Sequence, residues 1–282
     1  MNRELLASFI GAYPAQPATA FWRAIEIDVL ARRGLPAGLG LDLGCGDGIL
    51  TDILLRQTGA RDLVGVDVDP LETQAATRFP FYRRIHTCTA DAIPEPDGAF
   101  DFVLSNSVLE HIPDLEATIA EIGRVLRRAG RFVFTVPGPG FHRNLAGSVL
   151  PHVARTKYLE VLDRRLAHRH YLSPAEWRSM CERNGLLLDT CIGYLDARET
   201  QRWETLSRLT GGLLYSVFGE TRRPIEIQRS LGARELQNRS RLPRPVAQAL
   251  ARCISIGVAA DRTAADIAPE LASCFLLEGC RA

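Results

Sequence analysis

Three acids and three glycines carry the most chemistry in this chain. Asp42 stands near the end of an apolar run, and Gly44, Gly46 and Gly48 follow at alternate positions. Glycines so placed let the chain reverse tightly and let backbone lie against a ligand. Apolar residues at helical spacing resume over Thr51–Leu55, so the order is strand, turn, helix. Asp67 closes a second apolar run nineteen residues beyond Gly48. That separation suits a carboxylate accepting from the two hydroxyls of a ribose. A dinucleotide-binding turn would read G-x-G-x-x-G and draw a pyrophosphate onto the helix N-terminus. Here the spacing is G-x-G-x-G, with Asp42 and Asp47 beside it. These carboxylates repel a pyrophosphate and suit a cationic ligand.

The acid-x-Gly-x-Gly-x-Gly turn, together with the acid that ends the next strand, resembles the first motifs of the class I S-adenosylmethionine-dependent methyltransferases. The likeness covers roughly residues 35 to 195 and the last strand. It implies an α/β fold, a doubly wound Rossmann-like sheet of seven strands, with S-adenosyl-L-methionine as cofactor and S-adenosyl-L-homocysteine as product. It also implies cofactor contacts from Asp42, Gly44, Cys45, Gly46, Gly48, Asp67, Val68, Asp91, Ala92, Asn106 and Ser107. Among these, Asp67 would hold the ribose and Asp91 the adenine amino group. Cys45 falls where the family has a small residue, which makes it a packing residue rather than a nucleophile.

Such a cofactor brings an already activated methyl group. The protein has to hold it, exclude water and align the nucleophile, and a base is needed only for an acceptor that arrives protonated. After the fourth strand the chain reads Asn106-Ser-Val-Leu109, not the Asn-Pro-Pro-Tyr of enzymes that methylate planar amino nitrogens. The stretch Leu109-Glu110-His111-Ile112-Pro113 resembles one found in small-molecule methyltransferases and makes His111 a candidate base. His142, His168 and His170 lie in segments that the fold carries over the strand ends, and His168 and His170 are taken with His111 as the catalytic candidates. Glu110, His111 and His168 also match three of four metal ligands in methyltransferases acting on the 3′-terminal ribose of small RNAs. Ser107 replaces the first glutamate of that set, so no metal is expected.

These residues need a scaffold that brings distant positions together. Short apolar runs end at Asp42, Asp67, Thr87 and Asn106, with further strands over 131–136, 186–192 and 274–278. Helical patterns alternate with them, at 2–12, 19–34, from Asp69-Pro70 onward, at 115–126, over about 25 residues after Gly140, and at 175–184. Alternation of this kind gives a parallel sheet with ligands at the carboxyl ends of its strands, where Asp42, Asp67, Asp91 and Asn106 converge. The domain plan is N-terminal helices over the cofactor (1–34), a methyltransferase domain (35–196 and 266–282) and a helical insertion before the last strand (197–265).

The insertion holds twelve arginines against six acids, with apolar helical stretches at 206–218 and 246–260. It is expected to act as a lid, a substrate contact or a homo-oligomer contact. A net charge of +1 over 282 residues gives no general pull toward nucleic acid, and DNA is not expected as a partner. Seven cysteines without paired spacing argue against a disulfide framework or a zinc ribbon. The N-terminus lacks a signal pattern and no apolar run nears the ~18 residues of a spanning helix, so a cytoplasmic bacterial protein is expected. The expected reaction is methyl transfer to oxygen, less so nitrogen or carbon, of a small acceptor such as a natural product or saccharide. Alternatives are a cofactor-binding protein without methyl transfer, a metal-dependent RNA ribose methyltransferase and, third, a dehydrogenase.

Overall fold

The computed structural model describes residues 1–14, 16–150, 152–209, 242–258 and 267–282. The apolar runs form seven strands: β1 (Leu39–Leu43), β2 (Asp62–Asp67), β3 (Tyr82–Thr87), β4 (Phe100–Asn106), β5 (Leu126–Pro137), β6 (Leu186–Tyr194) and β7 (Cys274–Arg281). They make one sheet in the order β3-β2-β1-β4-β5-β7-β6. The first five are parallel, and β7 runs antiparallel between β5 and β6. The strand order reverses between β1 and β4, and a sheet of this kind opens a crevice at the carboxyl ends of the strands flanking the reversal.

Period-two alternation sorts each strand between two cores. Leu41, Leu43, Val64, Val66 and Val103 face α5 (Leu115–Val125) and α8 (Pro174–Arg183), where Ile119, Ile122 and Trp177 are buried. Leu63, Phe102, Leu104 and Val133 face the opposite layer, built from α1 (Arg3–Ala12), α2 (Pro17–Arg33) and α3 (Ile49–Thr58). The caps are those the residue types favour. Asp69 caps α4 (Pro70–Ala76), accepting from the Leu71 amide, and Ser173 with Glu176 forms a capping box on α8.

Two expectations are corrected in detail. β5 begins at Leu126, which is buried, and not at Arg131. The stretch after Gly140 is two helices, α6 (Gly140–Asn144) and α7 (Arg155–Leu166), not one. The break has a physical cause: Gly147 sits at φ 95°, and the amides of Ala146 and Gly147 donate to the Glu204 carboxylate at 2.8 and 3.1 Å instead of to helix carbonyls. Glu204 lies on α9 (Ala197–Ser207), the start of the insertion, and α9 is built into the body. There Trp203 packs edge-on against Trp22 and Phe141 at 5.5 and 5.4 Å. Helix α10 (Arg244–Ile254) lies against α1, with Arg3 donating to Ser255 at 3.1 Å. The expected stretches at 206–218 and 246–260 run into 210–241 and 259–266, outside the described residues. No helix among the described residues is long and apolar enough to cross a membrane.

Candidate active site

At the switch point the β1–α3 turn, the end of β4 and the start of α2 enclose a cavity of about 170 Å³. Of the cofactor residues expected from the sequence, Asp42, Gly44, Cys45, Gly46, Asn106 and Ser107 line it. Gly44 is required: its φ is 78°, and a Cβ there would come within 2.2 Å of Val108. Gly48 does not line the cavity and has a structural task, capping α3 in the left-handed region where a Cβ would strike Phe79 at 2.6 Å.

Asp42 is buried at 3% exposure and accepts from Thr51 Oγ1 at 2.7 Å and Tyr82 OH at 2.5 Å. Burial pushes its carboxyl up to about 6; the two donors oppose the shift and the nearby Asp67 adds to it. Tyr82 reaches Asp42 by lying across Gly65, where a Cβ would sit 3.2 Å from its ring. Cys45 is buried between Asp42 and Asp67, and burial first, then these charges, push its thiol well above the ordinary range. That fits packing and not nucleophilic work.

Asp67 is half-buried at the end of β2 and accepts the Gly46 amide at 2.9 Å and the Asp69 amide at 2.9 Å. Val68 is 68% exposed, and Asp91 and Ala92 are exposed as well. These three do not line the cavity, and the β3 end is tied to β2 by the Cys88 amide donating to the Asp67 carbonyl at 3.1 Å.

Sequence reasoning missed the contribution of α2. Glu26 is fully buried and accepts from Arg23 at 2.5 Å, Ser107 Oγ at 2.5 Å, Tyr194 OH at 3.0 Å and Asn106 Nδ2 at 3.1 Å. Burial alone would raise its pKa; the Arg23 charge, with the Ser107 and Arg23 hydrogen bonds, outweighs it and holds the carboxyl below its ordinary value. The signal was present: one Arg–Glu pair, at i and i+3, inside the apolar run Ala20–Ile27. Tyr13, Gln16, Thr19 and Arg23 line the cavity from the same end of the chain.

A second group lies one turn beyond Ser107. Glu110 is 1% exposed with Oε2 unpartnered, and its ligand atom, one of His111 and one of His168 lie within 4.8 Å of one another. Burial pushes Glu110 up to about 8, with Glu26 adding to the shift and Arg23 opposing it. The segments are stitched together: the Arg169 and His170 amides donate to the Glu110 carbonyl at 2.8 and 3.3 Å, and His111 Nδ1 donates to the Ala167 carbonyl at 3.0 Å. Tyr171 OH donates to Asp163 at 2.6 Å, so its 2.9 Å contact with His168 must run from Nδ1–H to the phenol oxygen. The lone pair of neutral His168 is therefore on Nε2. Burial, with His111, His142 and Arg23 nearby, pushes His168 well below the ordinary imidazole range. His142 joins through Asp163 at 2.8 Å. His170 is not brought in; its Nε2 donates to the Ile112 carbonyl at 2.8 Å and fastens the loop.

This architecture and this crevice are those of a class I S-adenosylmethionine-dependent methyltransferase. The chain belongs to the methyltransferase domain family, whose model matches residues 23–190. It is 34% identical over 132 residues to a malonyl-[acyl-carrier protein] O-methyltransferase of Halorhodospira halophila, covering 46% of this chain and 42% of that protein. The chain thus spans less than half the length of that relative in the match. It is 27% identical over 205 residues to a ubiquinone biosynthesis O-methyltransferase of Xylella fastidiosa, covering 70% of this chain and 78% of that one. A solved S-adenosylmethionine-dependent methyltransferase from Thermotoga maritima shares the fold with TM-score 0.54 at 12% identity, over 98% of this chain and 100% of that one.

Proposed function

We propose that this enzyme transfers the methyl group of S-adenosyl-L-methionine to an oxygen of a small acceptor. The observation that carries the reading is the meeting of Asp42, the glycine turn and Asn106–Ser107 around one cavity, with Asp67 beside it. A buried carboxylate with a raised pKa needs a cationic partner to offset its desolvation, and the cofactor supplies both a sulfonium and an ammonium group. Asp67 offers its carboxylate to the ribose hydroxyls, and the exposed Val68, Asp91 and Ala92 receive the adenine. The names of the two O-methyltransferase relatives support oxygen as the atom methylated.

In the transfer, an acceptor oxygen attacks the methyl carbon in line with the sulfur. The new O–CH3 bond forms as the S–CH3 bond breaks, and its electron pair returns to sulfur. A hydroxyl acceptor also has to lose its proton. The Glu110–His111–His168 group, with a lone pair on His168 Nε2, is the place for that task, and His142 serves it through Asp163 and Tyr171.

Asp67→Ala tests the cofactor assignment. Each charge-assisted bond is worth about 1.5–3 kcal/mol, so adenosylhomocysteine affinity should fall at least about tenfold while the circular dichroism spectrum persists. Unchanged affinity in titration calorimetry would remove Asp67 from the site.

A further inference from the structure

We infer that Asp163 is the positioning residue that makes His168 a base: acting through Tyr171, it holds the imidazole proton on Nδ1 and leaves Nε2 bare. The local sequence brings the three together. α7 is capped by Ala167, which takes the left-handed conformation at φ 58°. That backbone costs a residue with a Cβ about 1–3 kcal/mol and persists where the surroundings impose it. The turn folds the chain back, so the His168 amide donates to the Asp163 carbonyl at 3.1 Å. The Ala167 carbonyl itself takes His111 Nδ1 at 3.0 Å. One strained residue sets both rings.

The direction of each hydrogen bond follows from counting protons. The Tyr171 hydroxyl has one, and donates it to Asp163 Oδ1 at 2.6 Å. Burial first, then the hydrogen bond and charge of Asp163, push the phenol well above its ordinary range, so it keeps that proton. A carboxylate only accepts, so the phenol oxygen meets His168 Nδ1 at 2.9 Å as the acceptor. His142 Nε2 is a second donor on the same Oδ1, at 2.8 Å. The Tyr171 ring is held in place: Phe141 stacks on it at 5.9 Å and 11°, and the His142 ring lies 4.2 Å away.

His111 and His168 therefore take their polarity from different groups. His111 is oriented by a peptide carbonyl. His168 is oriented, through one hydroxyl, by a carboxylate whose charge also offsets the imidazolium that forms when Nε2 takes a proton. Of the two, His168 is the one built to accept. A histidine base held in the wrong tautomer loses about 10⁴ in turnover, so what fixes the tautomer matters as much as the ring.

The use of the lone pair rests on the methyl-transfer reading. There the acceptor hydroxyl gives its proton to Nε2 as the O–CH3 bond forms and the S–CH3 electron pair returns to sulfur. The ring then carries a proton on each nitrogen and releases one to solvent. The tautomer itself does not rest on that reading. The test labels the imidazole nitrogens of the full-length protein with 15N and reads long-range proton–nitrogen correlations at a pH where the rings are neutral. Signals lost in His168→Gln identify His168. Wild type should show the proton on Nδ1. Asp163→Ala frees the Tyr171 hydroxyl to donate to Nδ1 and should move the proton to Nε2. Asp163→Asn keeps a carbonyl oxygen facing Tyr171 and should retain the wild-type pattern, a rescue that general loosening of the fold would not give. Tyr171→Phe should give a mixture of the two forms. Adenosylhomocysteine is titrated into the same samples, and its affinity should be unchanged. A wild-type proton on Nε2, or a pattern that Asp163→Ala leaves as it was, overturns the role of Asp163. If Asp163→Ala misfolds, the wild-type pattern and Tyr171→Phe decide the matter. A proton on Nδ1 without adenosylhomocysteine binding sinks the methyl-transfer reading and spares this one; binding with the proton on Nε2 does the reverse.

Discussion

Asp42 carries its charge where water hardly reaches, and its pH behaviour follows from that. Its carboxyl rises from an ordinary value of 3.8 to about 6 in the fold. Burial penalises the ionised form, so the stability linked to this group is full below pH ~4 and is lost as pH rises through about 6, by on the order of 3 kcal/mol. Asp42→Asn should therefore flatten the fall in melting temperature between about pH 4 and pH 7, relative to wild type. On the proposed cofactor assignment, the same substitution should weaken adenosylhomocysteine binding above pH ~6, because the ligand's ammonium would lose a facing carboxylate. A pH dependence of melting as steep in the Asp42→Asn variant as in wild type would show that the response comes from other groups. Tyr82 belongs to this argument too: its hydroxyl is one of two donors holding Asp42 down, and only the bare backbone of Gly65 lets its ring reach across β2.

Helix α2 both packs the sheet and furnishes the site. Phe21, Ile25, Val29 and Leu30 bury one side, while Glu26 gathers Arg23 of its own helix, Asn106 and Ser107 after β4, and Tyr194 at the end of β6. Removing one member of a buried ion pair costs about 3–5 kcal/mol because the partner charge is left uncompensated. Glu26→Ala should lower the unfolding free energy in urea by that amount and loosen the β4 end, whereas Glu26→Gln should cost less. A loss under about 1 kcal/mol for Glu26→Ala would mean that water replaces the carboxylate. Much of the element plan was legible in the sequence, since strands, glycine turn and capping residues are local signals. What was not legible came from distant partners. Nothing near Ala146 announces that Glu204 takes its amide and splits the expected helix. His168 and His170 look equivalent two residues apart, yet one meets Glu110 and His111 and the other fastens Ile112. Tyr82 on Asp42 depends on a glycine in the neighbouring strand, a relation that only the sheet register creates.

At the scale of the whole molecule, the insertion between β6 and β7 divides into parts with different duties. Its first helix is core: Trp203 is 5% exposed against Trp22 and Phe141, and Glu204 takes the Ala146 and Gly147 amides with Tyr158 and Arg208. Its later helix α10 lies on α1, the neighbour of the helix that lines the cavity. Replacing all of 197–265 by a turn would strip both from the body, and Trp203→Ala alone should cost about 3–5 kcal/mol. The informative deletion is narrower. Residues 210–241 lie between these two anchors, and six of the insertion's twelve arginines fall there. We propose that this stretch chooses the acceptor, because its two ends leave from helices that pack on α2 and on α1. Replacing 210–241 with a flexible linker long enough to join the helices should leave the melting temperature and adenosylhomocysteine affinity near wild type and abolish turnover of the native acceptor. If the shortened enzyme methylates that acceptor at the native rate, the stretch does not select substrate; if it also loses adenosylhomocysteine, the stretch belongs to the cofactor site.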